Sequence, residues 1–182
     1  MVNVVLAGGG TAGHTSPLIA TAEALRAARH DVQLTCIGTS RGLETKVIPE
    51  AGLELKLIPA VPLPRKPSVD LLKVPVRLAA AVAQAGRILA EAQADVLVGF
   101  GGYVAMPAYL AARRAGIPIV IQEQNAVPGL ANRVASRFAA RVLVSFPDTP
   151  LPGAEFFGMP VRAAITKLAK DGRAASQAAE RA

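Results

Sequence analysis

Thr11 and His14 stand at the mouth of a glycine loop, Gly8-Gly9-Gly10-Thr11-Ala12-Gly13-His14. A neutral imidazole near pH 7 suits proton transfer. A loop this rich in glycine lets backbone N–H groups, and the positive end of a following helix, face an anion at close range. Gly8, Gly10 and Gly13 also fit the spacing G-x-G-x-x-G of a dinucleotide site. Such a site needs an acidic residue about 20 positions on, at the end of the second strand. Here that strand ends Cys36-Ile37-Gly38-Thr39, without a carboxylate, and Asp31 lies at its other end. An oxidoreductase domain therefore lacks its ribose anchor.

Three more polar clusters follow: Gly38 to Glu44, Phe100 to Tyr103, and Gln122-Glu123-Gln124-Asn125. Asn125 can hydrogen-bond sugar hydroxyls. Glu123 is a second candidate base, a group that orients its neighbours, or a buried carboxylate bonded to backbone N–H groups. Tyr103 either lines a cleft or packs. Arg162 offers charge-assisted bonds to phosphate or carbonyl oxygens, with a surface salt bridge as its alternative. A helix-capping or packing role is the alternative for His14. His30, at a helix end before a strand, reads as structural.

The elements that must position these groups alternate regularly. Strands are expected at Val2–Ala7, 32–37, 53–58, 95–100, 117–121, 142–145 and 155–158. Helices are expected at 17–29, 43–51, 69–93, 104–115 and from about 128. Pro17 is placed in the first turn of its helix, where a missing N–H costs nothing. The pattern is that of an α/β, Rossmann-like doubly wound parallel sheet. Ligands in such sheets bind outside the carboxyl ends of the strands, where all four polar clusters fall. Residues 1–162 are expected to form one domain and 163–182 a tail or linker.

Composition narrows the classes. The chain has 182 residues, 52% hydrophobic and only 4% aromatic, with net charge +7. A basic balance admits phosphorylated substrates, an anionic membrane surface or nucleic acid. No basic, aromatic-rich strand or recognition helix supports nucleic acid. Cys36 reads as a core residue. Two histidines and one cysteine, without ligand spacing, offer no metal cluster. With no signal peptide and no apolar run long enough to span a bilayer, the expected location is cytoplasmic. Leu63, Leu71, Leu72, Val74, Val76 and Leu78 are interleaved with Arg65, Lys66, Lys73 and Arg77. Apolar side chains ringed by cations suit an anionic bilayer surface around residues 63–78; the alternative is a core face with solvated cations.

Five stretches together resemble the N-terminal domain of the MurG family of N-acetylglucosaminyltransferases. They are Gly9-Gly10-Thr11-Ala12-Gly13-His14 with Pro17; Gly38-Thr39 with Gly42-Leu43-Glu44; Gly101-Gly102-Tyr103; Glu123-Gln124-Asn125 with Pro128-Gly129; and Pro160-Val161-Arg162. Ala12 replaces the family's usual Gly, and Met159 stands where Asn is common. The resemblance implies the N-terminal, acceptor-binding half of a GT-B glycosyltransferase, whose donor-binding C-terminal half this chain lacks. It implies transfer of N-acetylglucosamine from UDP-N-acetylglucosamine to undecaprenyl-pyrophosphoryl-MurNAc-pentapeptide (lipid I), with inversion, to give lipid II in peptidoglycan synthesis. His14 and Glu123 become catalytic candidates. Thr11, Ala12, Gly13, Tyr103, Asn125 and Arg162 become substrate-binding candidates. No metal or cofactor is expected, because helix dipoles and loop N–H groups can take the diphosphate charge. The location becomes peripheral, at the cytoplasmic face of the membrane. A non-catalytic, membrane-associated acceptor subunit working with a separate donor-binding chain is the rival reading.

Overall fold

A computed structural model describes residues 1–61 and 70–169, with side chains undescribed at 70–72. The strands are β1 Val2–Ala7, β2 Val32–Gly38, β3 Glu54–Leu57, β4 Val96–Gly99, β5 Ile119–Glu123, β6 Arg141–Val144 and β7 Ala154–Phe156. The helices are α1 Ala12–Ala28, α2 Glu44–Glu50, α3 Asp70–Glu91, α4 Gly102–Arg114 and α5 Leu130–Ala135. All the strands pair in parallel, in the order β3-β2-β1-β4-β5-β6-β7. The doubly wound parallel sheet is therefore as expected.

Alternating side chains of β1 feed two helical layers. Val4 and Leu6 pack with Leu18, Ile19 and Ala22 of α1 and Ile48 of α2. Val5 and Ala7 face Ala85 and Leu89 of α3 and Val104 and Ala108 of α4. With both faces covered, a continuous apolar strand is the stable choice. Cys36 is fully buried, and burial pushes its thiol up to about 12. It is a small core residue.

The chain winds outward from β1 through β2 and β3, then returns to lay β4 against the other side of β1. The reversal opens a crevice at the carboxyl ends of β1 and β4. The sheet order β2-β1-β4-β5 brings the four polar clusters side by side at this end.

Most element ends differ from the sequence reading by one to three residues, and two of the differences bear on the site. The helix α1 starts at Ala12, not Pro17. The N–H groups of His14 and Thr15 both bond to the Thr11 carbonyl, at 3.1 and 3.2 Å, and close the first turn early. Pro17 thus lies in the second turn and gives the Gly13 carbonyl no i+4 donor. Likewise, β5 runs to Glu123 because Gln122 and Glu123 pair with Leu143 and Val144. Leu63, Arg65 and Lys66, the side chains of Leu71 and Leu72, and tail residues 170–182 lie outside the described residues. Among the described residues no helix is long and apolar enough to cross a membrane.

Candidate active site

Two glycine loops meet at the crevice. The Gly10 backbone sits at φ +88°, and a Cβ there would stand 2.9 Å from the Tyr103 ring. Gly102 sits at φ +76°, and its Cβ would stand 2.9 Å from the Gly9 carbonyl oxygen. Both positions need glycine twice over, for backbone conformation and for space. Their contact brings the start of α1 against the start of α4.

His14 lies in that contact, half-buried on the first turn of α1. Its Nδ1 is 2.9 Å from Thr11 Oγ1. If Nδ1–H donates to the hydroxyl, Nε2 carries the free lone pair that a base requires. Burial lowers the His14 pKa from its ordinary value, against an opposing pull from Glu123 and then Glu44. The imidazole is therefore neutral near pH 7. Thr11 is the N-cap of α1, yet its side chain makes no capping bond. Thr11, Ala12 and Gly13 are exposed there. The first-turn N–H groups of Ala12 and Gly13, which no intrahelical carbonyl can satisfy, are in place for an anion.

A cleft of about 850 Å³ opens beside this turn. His14, Gly102, Tyr103, Asn125 and Gly129 line its polar part, and Val61, Leu78, Met106, Leu110 and Val134 are among its apolar wall. The structure thus gathers His14, Thr11, Ala12, Gly13, Tyr103 and Asn125 at one end of the sheet. Arg162 is not among the lining residues. Its Nε donates to Glu23 Oε1 of α1 at 3.2 Å. His30 is exposed in the turn between α1 and β2, away from the cleft.

Glu123 is 1% exposed and accepts four hydrogen bonds. The Asn125 N–H and Nδ2 donate to its Oε1 at 2.8 and 2.9 Å. The Gly129 N–H and Asn132 Nδ2 donate to its Oε2, each at 3.0 Å. With both oxygens so occupied, this carboxylate is arranged to hold the Asn125 loop.

The chain matches the glycosyltransferase family 28 N-terminal domain over residues 4–144. It belongs to that family. It is 68% identical over 169 residues to the UDP-N-acetylglucosamine–N-acetylmuramyl-(pentapeptide) pyrophosphoryl-undecaprenol N-acetylglucosamine transferase of Cutibacterium acnes, covering 93% of this chain and 45% of that protein. The Mycolicibacterium smegmatis protein of the same name is 54% identical, covering 100% of this chain and 48% of its own length. The crystal structure of Acinetobacter baumannii MurG superposes with a TM-score of 0.75 at 32% identity, covering 89% of this chain and 46% of that one. The MurG resemblance read from the motifs is borne out. The chain spans about half the length of the curated relatives it matches.

Four residues that hold the site together were given no role in the reading of its motifs. Asn132 is fully buried and links Glu123 to Tyr109, whose hydroxyl donates to Asn132 Oδ1 at 2.7 Å. Gln124 Nε2 donates to the Phe100 carbonyl at 3.0 Å and ties the end of β5 to that of β4. Glu44, quoted above only as part of a motif, is a fully buried carboxylate beneath the first glycine loop. Asn132 and Tyr109 sit in ordinary amphipathic helices, so their spacing carries no signal.

Proposed function

We propose that this chain is the acceptor-side half of a hexosyltransferase that moves N-acetylglucosamine from UDP-N-acetylglucosamine to lipid I and forms lipid II. The observation that carries the reading is His14: a neutral imidazole at the neck of a cleft, between an uncapped helix N-terminus and the Tyr103 and Asn125 side chains.

The reaction is a direct, inverting displacement. The C4 hydroxyl of the muramoyl sugar attacks C1 of the donor N-acetylglucosamine. Its proton passes to His14 Nε2 as the new C–O bond forms. The bond from C1 to the UDP phosphate oxygen breaks, and the electron pair leaves with UDP. Thr11 fixes the imidazole through Nδ1. The first-turn N–H groups of Ala12 and Gly13 stabilise phosphate charge. Asn125 holds sugar hydroxyls, oriented by Glu123, whose role is that of a positioning group. By family resemblance, most of the donor is bound by a C-terminal half. The salt bridge to Glu23 places Arg162 outside the cleft in this chain, and its contact with the nucleotide sugar belongs to an assembled two-domain enzyme. The start of α3 exposes Lys73, Val76 and Arg77, in keeping with a peripheral site on the cytoplasmic face of an anionic membrane.

The test joins residues 1–182 to the C-terminal half of the Cutibacterium acnes relative and follows labelled N-acetylglucosamine onto a lipid I analogue. His14→Ala is expected to lower turnover by about 10²- to 10⁴-fold with folding intact. Near-normal turnover would return His14 to a capping role. The acid limb of kcat/KM should inflect below about 6.5, because His14 must be deprotonated and burial depresses its pKa. Turnover by residues 1–182 alone would remove the need for a donor half. Activity with an unlinked donor chain would favour the two-subunit reading.

A further inference from the structure

Glu44 is 0% exposed, and its bonding is unlike that of a surface helix residue. The Gly10 N–H donates to its Oε2 at 2.8 Å. The Thr39 N–H and Oγ1 donate to its Oε1 at 3.0 and 2.9 Å. One carboxylate thereby joins the loop after β1 to the loop after β2. Thr39 Oγ1 is also 3.3 Å from the Tyr103 hydroxyl, and the Tyr103 ring lies over Gly10. The surrounding backbone closes tightly on Glu44. A Cβ on Gly9 would stand 2.5 Å from Oε1, one on Gly38 would stand 2.7 Å from Cγ, and one on Gly42 would collide with the carboxylate itself. Burying a carboxylate is costly, and an apolar side chain would fill this space at less expense. An apolar group there would leave the Gly10 and Thr39 N–H groups without an acceptor.

The residue after Gly10 is Thr11, which occupies the N-cap position of α1 and whose hydroxyl holds His14 Nδ1. We propose that Glu44 is a positioning residue: it fixes the glycine loop and, through Gly10 and Thr11, the orientation of the His14 imidazole for glycosyl transfer. The inference rests on the reading of His14 as the base. Glu44 is too deeply engaged to touch substrate and acts only through the loop. The charged groups that bear on His14 are Glu123 at the end of β5 and Glu44 at the start of α2.

The chain contains two histidines, so an NMR titration can resolve His14 from His30. In the unaltered chain the Gly10 amide should exchange with solvent at least about 100-fold slower than a free loop amide, in keeping with a bond to a buried acceptor. In Glu44→Gln one side of the carboxamide presents N–H to a donor. Gly10 exchange should then rise about tenfold and His14 should titrate lower than in the unaltered chain, because an anion favouring imidazolium is gone. In the joined transferase the same variant should lower kcat by about 10- to 100-fold with little change in KM, as misplacement of a reacting group does. Free exchange at Gly10 in the unaltered chain would overturn the proposal whether or not the variant folds. A folded Glu44→Gln with unchanged Gly10 exchange and unchanged His14 titration would also overturn it. Absence of transfer by the unaltered joined protein would instead defeat the functional reading, while the exchange and titration results still judge the contact.

Discussion

Two buried carboxylates hold the two walls of the cleft, and they do it differently. Glu44 supports the wall made by β1 and β2; Glu123 supports the wall made by β5 and α5. Each receives the N–H of a glycine, Gly10 in one case and Gly129 in the other. Around Glu44 the backbone leaves no room for a Cβ at Gly9, Gly38 or Gly42. Around Glu123 the other partners are asparagine amides, and a Cβ on Gly129 would meet nothing within 4 Å. The first wall is held by close packing of backbone on a carboxylate. The second is held by a chain of side-chain hydrogen bonds that runs on to Tyr109. Steric confinement suits a loop proposed to approach phosphate closely. A network suits a wall whose Asn125 is proposed to be aimed at substrate.

The comparison is most easily broken at Glu123 itself. Glu123→Ala leaves the N–H groups of Gly129 and Asn125 and the Asn132 amide without their acceptor. We expect a loss of about 3 to 4 kcal/mol in denaturant unfolding, and a loss below about 1 would show that water replaces the carboxylate. Next comes a matched pair of glycines. Gly42→Ala should cost about 3 kcal/mol, since its methyl displaces Glu44. Gly129→Ala should cost less than about 0.5 kcal/mol, because φ is −67° and the space is open. Equal losses in the two would erase the distinction between the walls. Tyr109→Phe removes the donor to Asn132 Oδ1 and should cost about 1 to 2 kcal/mol. A smaller effect would mean that the network ends at Asn132. The finest discrimination is in pH. Both carboxylates raise the His14 pKa, Glu123 more than Glu44. Glu123→Gln should therefore move the His14 titration further downward than Glu44→Gln, read by NMR on the folded variants. The reverse order would mean that the Glu44 wall dominates the field at the imidazole.

Much of the fold was legible in the sequence. Apolar, β-branched runs alternating with helical periods implied a parallel sheet, and polar clusters after four of those runs implied a site at their carboxyl ends. Those are local signals, set by which backbone a short stretch prefers. The start of α1 was misplaced because Pro17 resembles a first-turn proline; the Thr11 carbonyl, accepting two N–H groups, begins the helix earlier. The site residues were legible in type but unevenly in role. Glu123 was singled out as a possible base because carboxylates and strand ends suggest chemistry, whereas its four donors come from residues two to nine positions along the chain, brought in by the turn into α5.

By itself the sequence determined the strand–helix alternation, the glycines of two loops and the family, and it offered His14 and Glu123 as candidate bases. Only the tertiary structure decided that β1 and β4 are neighbours, so that Gly10 lies under Tyr103 and Gly102 against Gly9. Only it revealed Glu44 as the tie between two loops, because its partners Gly10 and Thr39 follow different strands. Hydrogen bonds across a sheet depend on strand order, and strand order is set by how the whole core packs rather than by any stretch of chain.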